Sequence, residues 1–272
     1  MGALHEGHLS LVRLGQFHAH KVVTSIFVNP TQFAPGEDFE SYPREHAADI
    51  AKLKSIGCDL VYIPEPGSMY SEARATTIKV GGVAQGLETD HRPTFYDGVA
   101  LVVTKLLNRV VPDVAIFGEK DYQQLATIRQ LVLDLDMPIK IVGAPIARDE
   151  FGLALSSRNQ YFDEDGLAIA RQLNIIMSNC VADLKKGHDV AFATETAKKA
   201  LLEAGYDSVD YISVADPDTL EIMENGQINT PMRLLIAAHC RGVRLIDNCE
   251  ICLLYTSPSP RDATLSRMPS SA

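Results

Sequence analysis

Two histidines stand three residues apart near the start of the chain, in Gly2-Ala3-Leu4-His5-Glu6-Gly7-His8-Leu9. This H-x-G-H spacing puts both imidazoles on one face of a helix. If the helix begins near His5, the rings and the free backbone N–H groups of its first turn face one volume. Spare donors and the positive end of the helix dipole suit a phosphate. Each imidazole adds a further donor. Gly7 removes a side chain where a nucleotide would approach the backbone. Read alone, the pattern equally describes two surface histidines. Metal binding is the weaker alternative, because Glu6 points to another face and no third ligand is obvious.

Three more stretches combine chemistry with a position at a strand tip. Ser25-Ile26-Phe27-Val28-Asn29-Pro30-Thr31-Gln32-Phe33 ends a strand and offers the amides of Asn29 and Gln32 to a hydroxyl or carboxylate. The plainer reading of Asn29-Pro30 is a turn starter. Phe117-Gly118-Glu119-Lys120-Asp121-Tyr122-Gln123-Gln124 runs from a strand through a glycine into a helix. Lys120 suits a phosphate and Asp121 a ribose hydroxyl, unless the two form a solvated pair on a helix cap. Leu153-Ala154-Leu155-Ser156-Ser157-Arg158-Asn159 places two hydroxyls beside a guanidinium, a set suited to the β- and γ-phosphates of ATP or, more simply, to a polar loop between domains.

The elements that must position these residues alternate. Lys21–Val28, Asp59–Ile63, Val114–Phe117 and Ile139–Val142 read as short strands. Glu45–Ile56, Gly98–Val110 and Gln123–Leu135 read as helices between them. This predicts an α/β domain over residues 1–160, a Rossmann-like parallel sheet with helices on both faces. The pattern then changes. One long helix over Glu164–Lys186, a second over Val190–Ala204, and strands at Val209–Val214, Arg233–Ala238 and Arg244–Ile246 predict a smaller α+β domain over 161–252. Residues 253–272 are Ser/Pro-rich and aperiodic, and read as a disordered or artefactual tail. A sheet of this type needs a strand leading into its first nucleotide-binding turn, yet Met1 already stands at that turn. The first strand is therefore expected to be missing from the chain.

Composition narrows the class of partner. A formal net charge of −10 over 272 residues argues against a general nucleic-acid binder. No apolar run reaches the roughly 18–20 residues of a membrane span, and no signal peptide is visible. The five cysteines are odd in number and scattered, which points to a reducing, cytoplasmic setting. Cys249 and Cys252 form an isolated C-x-x-C, read as coincidence rather than as a metal or redox site.

In this order, MGALHEGHLSLV, SIFVNPTQF, SYPR, FGEKDYQQL, GLALSSRN and RLIDN make the chain resemble the pantoate–β-alanine ligase family from Met1 to about Asn248. That family belongs to the HIGH-type nucleotidyltransferases. The resemblance implies a Rossmann-like domain with a smaller C-terminal domain, a cytoplasmic homodimer and Mg²⁺-ATP as co-substrate. Pantoate would be activated as pantoyl adenylate and passed to β-alanine. By resemblance, His5 and His8 bind phosphates, Lys120 holds the reacting phosphate, and Ser156, Ser157 and Arg158 hold the pyrophosphate. Met1, Gly7, Gly118, Asp121 and Leu155 would line the ATP site. Asn29, Gln32, Gln124 and Arg92 would contact pantoate, and Asp49 would stand near Mg²⁺.

The sequence departs from the family pattern in three places. The family's Pro-Thr and strand before Met-Gly are absent, and the tail has no family counterpart. Arg92-Pro93-Thr94-Phe95-Tyr96 stands where the family reads Arg-Pro-Gly-His-Phe, so Phe95 replaces a usual histidine. Two rival readings stay open: an adenylyltransferase of coenzyme synthesis, which keeps the nucleotide on its product, and an inactive nucleotide-binding fragment.

Overall fold

The computed structural model describes residues 1–32, 39–40, 42 and 44–252. The expected tail, Phe33 of the Asn29–Phe33 stretch, and Ser41 and Pro43 of Ser-Tyr-Pro-Arg lie outside the described residues.

The first part of the chain runs α1 (Glu6–His18), β1 (Val23–Ser25), α2 (His46–Ser55), β2 (Leu60–Tyr62), α3 (Pro66–Met69), α4 (Glu88–His91), α5 (Phe95–Val110), β3 (Val114–Gly118), α6 (Tyr122–Asp134) and β4 (Lys140–Ala144). The second part runs α7 (Glu164–Ala170), α8 (Gln172–Lys185), α9 (Val190–Glu203), β5 (Ser208–Ala215), β6 (Ile222–Met223), β7 (Met232–Cys240) and β8 (Val243–Ile251).

Parallel pairing with helices between the strands bears out the α/β reading. β1 lies parallel to β2 with Thr24 opposite Val61, and β3 lies parallel to β4 with Ile116 opposite Val142. The strands form two separate pairs rather than one expected sheet. β1 is shorter than the expected Lys21–Val28, although its backbone bonding runs on: Ile26 N–H donates to Tyr62 O, and Phe27 N–H to Met1 O. The apolar stripe of α5 (Val99, Val102, Val103, Leu107) packs against Ile128, Leu131 and Val132 of α6, as its helical spacing dictates.

The second part folds α7–α9 against an antiparallel sheet of order β6-β5-β7-β8. The expected helix over Glu164–Lys186 is broken at Arg171. There the Tyr206 hydroxyl donates to Ala170 O, and Arg171 turns aside to pair with Asp149. Apolar periodicity crosses the break unaltered, because Ala170 and Leu173 both enter the core. The two parts join through Val83, Leu87, Tyr122, Ala126, Ala215, Leu220 and Leu235, a shared apolar cluster that sets β5 and β7 beside the start of α6.

Candidate active site

The start of α1 is built by its own histidines. His5 is the N-cap, in extended conformation, and its Nδ1 accepts the Gly7 N–H at 3.1 Å. His8 Nδ1 reaches back and accepts the His5 N–H at 3.3 Å, closing a reciprocal capping box. The ring centroids lie 4.1 Å apart. A Cβ on residue 7 would come within 2.9 Å of the His5 ring, so the returning imidazole itself requires glycine there. Because both Nδ1 atoms accept, the proton of each neutral ring sits on Nε2, leaving each ring one N–H donor.

The surroundings keep both rings neutral. Burial first, then Lys120 and Lys52, lower His5 from the usual value of 6.5 to about 4. Burial, then His5, the N-terminal ammonium, Lys120 and Lys52, lower His8 to about 2. Both histidines therefore stay uncharged beside Lys120 and Lys52.

Lys120 stands on a 3₁₀ turn (Glu119–Asp121) between β3 and α6. A residue far away in sequence holds that turn. Asn248 on β8 donates through Nδ2 to both Glu119 O and Lys120 O at 2.9 Å, while its Oδ1 accepts from Arg233 Nε. Asp247 is fully buried in its side chain and takes a two-pronged pair from Arg148, with contacts of 2.6 and 2.9 Å. Arg148 begins the segment that leads to Ser156, so β8 braces two of the candidate loops. Ser156 Oγ caps a second 3₁₀ turn by accepting the Arg158 N–H, and Ser157 Oγ lies 2.8 Å from the Tyr42 hydroxyl.

These loops surround one cleft of ≈ 840 Å³. Met1, Asn29, Gln32, Arg92, Lys120, Asp121, Gln124, Ser156 and Arg158, all expected from sequence, line it. His5, Gly7, His8, Gly118, Leu155 and Ser157, also expected from sequence, are not among its lining residues. The field of Lys120 reaches both histidines, Leu155 N–H is tied to Ala147 O, and Ser157 meets Tyr42. Asn29 is largely occupied: its Oδ1 accepts from the Thr31 amide, the Thr31 hydroxyl and the Tyr70 hydroxyl. Arg92 donates to Gln32 O at 2.7 Å and lies 4.0 Å from the centroid of Phe95, so the aromatic side chain at that position packs on the guanidinium.

Asp49, expected near Mg²⁺, takes a different place from the lining residues. Its side chain does not line the cleft. It is 1% exposed and its Oδ1 accepts the Leu4 N–H at 2.7 Å, while its Oδ2 is buried without a hydrogen-bond partner. Among the described residues no cluster of three His, Cys, Asp or Glu side chains could hold a metal ion. Sequence reasoning gave no role to Asn248, Tyr42, Gln123, Glu88 or Arg244. The stretches RLIDN and SYPR contained the first two, but the loop groups they hold, the 119–120 carbonyls and the Ser157 hydroxyl, lie more than a hundred residues away.

Comparison with known proteins decides the family. The model of the pantoate-beta-alanine ligase family matches residues 1–250. The chain belongs to the pantoate-beta-alanine ligase family. As a ligase of this family it is 50% identical over 251 residues to the pantothenate synthetase of Mesorhizobium japonicum, covering 92% of this chain and 88% of that relative. It is 50% identical over 248 residues to the pantothenate synthetase of Maricaulis maris, covering 91% and 86%. The crystal structure of pantothenate synthetase from Thermus thermophilus superposes with a TM-score of 0.87 at 40% identity, covering 92% of this chain and 91% of that one. Pantoate-beta-alanine ligase from Francisella tularensis, solved with beta-gamma ATP and beta-alanine, gives a TM-score of 0.76 at 33% identity, covering 92% and 86%.

Proposed function

We propose that the cleft condenses pantoate with β-alanine at the expense of ATP, in two steps. The pantoate carboxylate attacks the α-phosphorus of ATP, forming pantoyl adenylate and releasing pyrophosphate. The β-alanine amine then attacks the acyl carbon, the acyl–phosphate bond breaks, and AMP leaves with pantothenate as product. The supporting observation is the convergence of Lys120, Ser156 and Arg158 with Asn29, Gln32 and Gln124 on one cavity, backed by two neutral histidine donors.

In this reading His5 and His8 donate Nε2–H to phosphate oxygens, and Lys120 neutralises the charge that grows on the transferring phosphate. Ser156, Ser157 and Arg158 receive the departing pyrophosphate. Met1, Gly7, Gly118, Asp121 and Leu155 shape the nucleotide wall. Gln32 and Gln124 orient pantoate, with Arg92 fixing the Gln32 backbone and Asn29 the loop beneath it. Catalysis rests on positioning and preorganised charge, with no covalent enzyme intermediate. Mg²⁺ enters with ATP as part of the co-substrate. A cytoplasmic homodimer belongs to the same reading, and sedimentation measures the assembly.

Pantoate-dependent exchange of pyrophosphate into ATP tests the first step, and product analysis tests the second. The parent protein should release AMP. Lys120→Met should reduce exchange by about two to three orders of magnitude, the scale seen when one preorganised transition-state donor is lost. A stable dinucleotide product would assign the site to an adenylyltransferase instead.

A further inference from the structure

The histidine element is delivered by a turn that opposes its own local preference. Ala3 has a φ of +48°, a left-handed conformation that crowds Cβ in any residue but glycine. The next residue, Leu4, is 2% exposed and packs with Val12, Ile26 and Leu53. Both of its peptide groups are captured by one helix. Asp49 Oδ1 accepts the Leu4 N–H at 2.7 Å, and Lys52 Nζ donates to Leu4 O at 2.7 Å. Asp49 and Lys52 are three apart on α2 and so share a face. His5, the N-cap, follows directly in the chain. Lys52 therefore acts on the site twice: through the Leu4 carbonyl, and through a charge felt at both imidazoles.

We propose that Asp49 and Lys52 are positioning residues, a two-pronged clamp on the Leu4 peptide that holds the left-handed turn and sets the orientation of His5 and His8 beside Lys120. The role assigned to the clamp rests on the reading of His5 and His8 as phosphate ligands. The clamp touches no reacting atom. It acts on orientation, so its loss should lower turnover in the adenylation step more than substrate affinity.

Four variants test it: Asp49→Ala, Asp49→Asn, Lys52→Met and Lys52→Arg. Asn keeps an oxygen acceptor for the Leu4 N–H, and Arg keeps a charged donor for the carbonyl. In pantoate-dependent ATP–pyrophosphate exchange, Asp49→Ala and Lys52→Met should lower kcat by about ten- to a hundredfold, as expected for a displacement of roughly 1 Å in a positioned group. KM for pantoate should move by less than about threefold, and the Asn and Arg variants should recover most of kcat. Histidine ring titrations followed by NMR should show His5 rising in Lys52→Met and staying low in Lys52→Arg, with Lys120 and His8 still facing it. Equal losses in Asp49→Asn and Asp49→Ala would overturn the clamp. So would losses that merely follow the fraction of unfolded protein. If the parent protein shows no exchange at all, the functional reading fails first. The clamp is then judged separately by the Leu4 amide resonance, which should move in Asp49→Ala and hold in Asp49→Asn.

Discussion

Replacing His8 with glutamine should make the protein less sensitive to acid. Glutamine at the third helical position is a natural partner in a capping box, so it can still accept the His5 N–H while losing the titrating ring. The folded state holds His8 near 2 against 6.5 in an open chain. Below 6.5 the unfolded chain therefore binds a proton that the folded chain refuses, and stability falls with pH until the folded ring titrates. Between about pH 7 and about pH 5 the unfolded ring takes up most of a proton and the folded ring almost none, which integrates to about 2 kcal/mol. This figure does not depend on the lower limit, since any folded value well below 5 gives the same result over that range. Urea unfolding of the parent and of His8→Gln at both pH values gives a double difference from which the carboxylates cancel. The parent should lose about 2 kcal/mol more than the variant over this interval. Identical pH dependence in the two proteins would refute a half-buried, neutral His8, and with it the uncharged-donor description of the site.

Two further outcomes follow from the packing around the cleft. Arg148→Met strips the fully buried Asp247 of its two-pronged partner and should cost about 3–5 kcal/mol in chemical denaturation. Gly98→Ala would set a Cβ 2.5 Å from Thr31 O, so the loop carrying Asn29 and Gln32 must shift. That variant should lose about 1–3 kcal/mol of stability and show a raised KM for pantoate in steady-state assays.

The chemical inventory and most of the element order are written in the order of the amino acids. Apolar spacing at α5, α6 and α9 and short apolar runs at β3 and β7 are local signals, because helix and strand periods are written within ten or so residues. The H-x-G-H pair was legible for the same reason: its capping box closes within the segment from His5 to His8. Local signals failed where distant groups intervened. The helix expected over Glu164–Lys186 breaks where Tyr206 takes Ala170 O, and no periodicity records a hydroxyl 36 residues away. Asp49 carried the type of residue that binds a cation, yet burial beside the Leu4 amide gave it a backbone to hold. Asn248 and Tyr42 stood inside stretches already singled out, but their roles depend on contacts with residues 119–120 and 157 that exist only once β8 docks beside α6 and the loops close on one another. Residue types set what chemistry is available. Packing of the antiparallel sheet against the start of α6 decides which of those groups meet, because hydrogen-bond partners across a cleft are chosen by the apolar surfaces that bring them within 3 Å and not by anything encoded beside them in the chain.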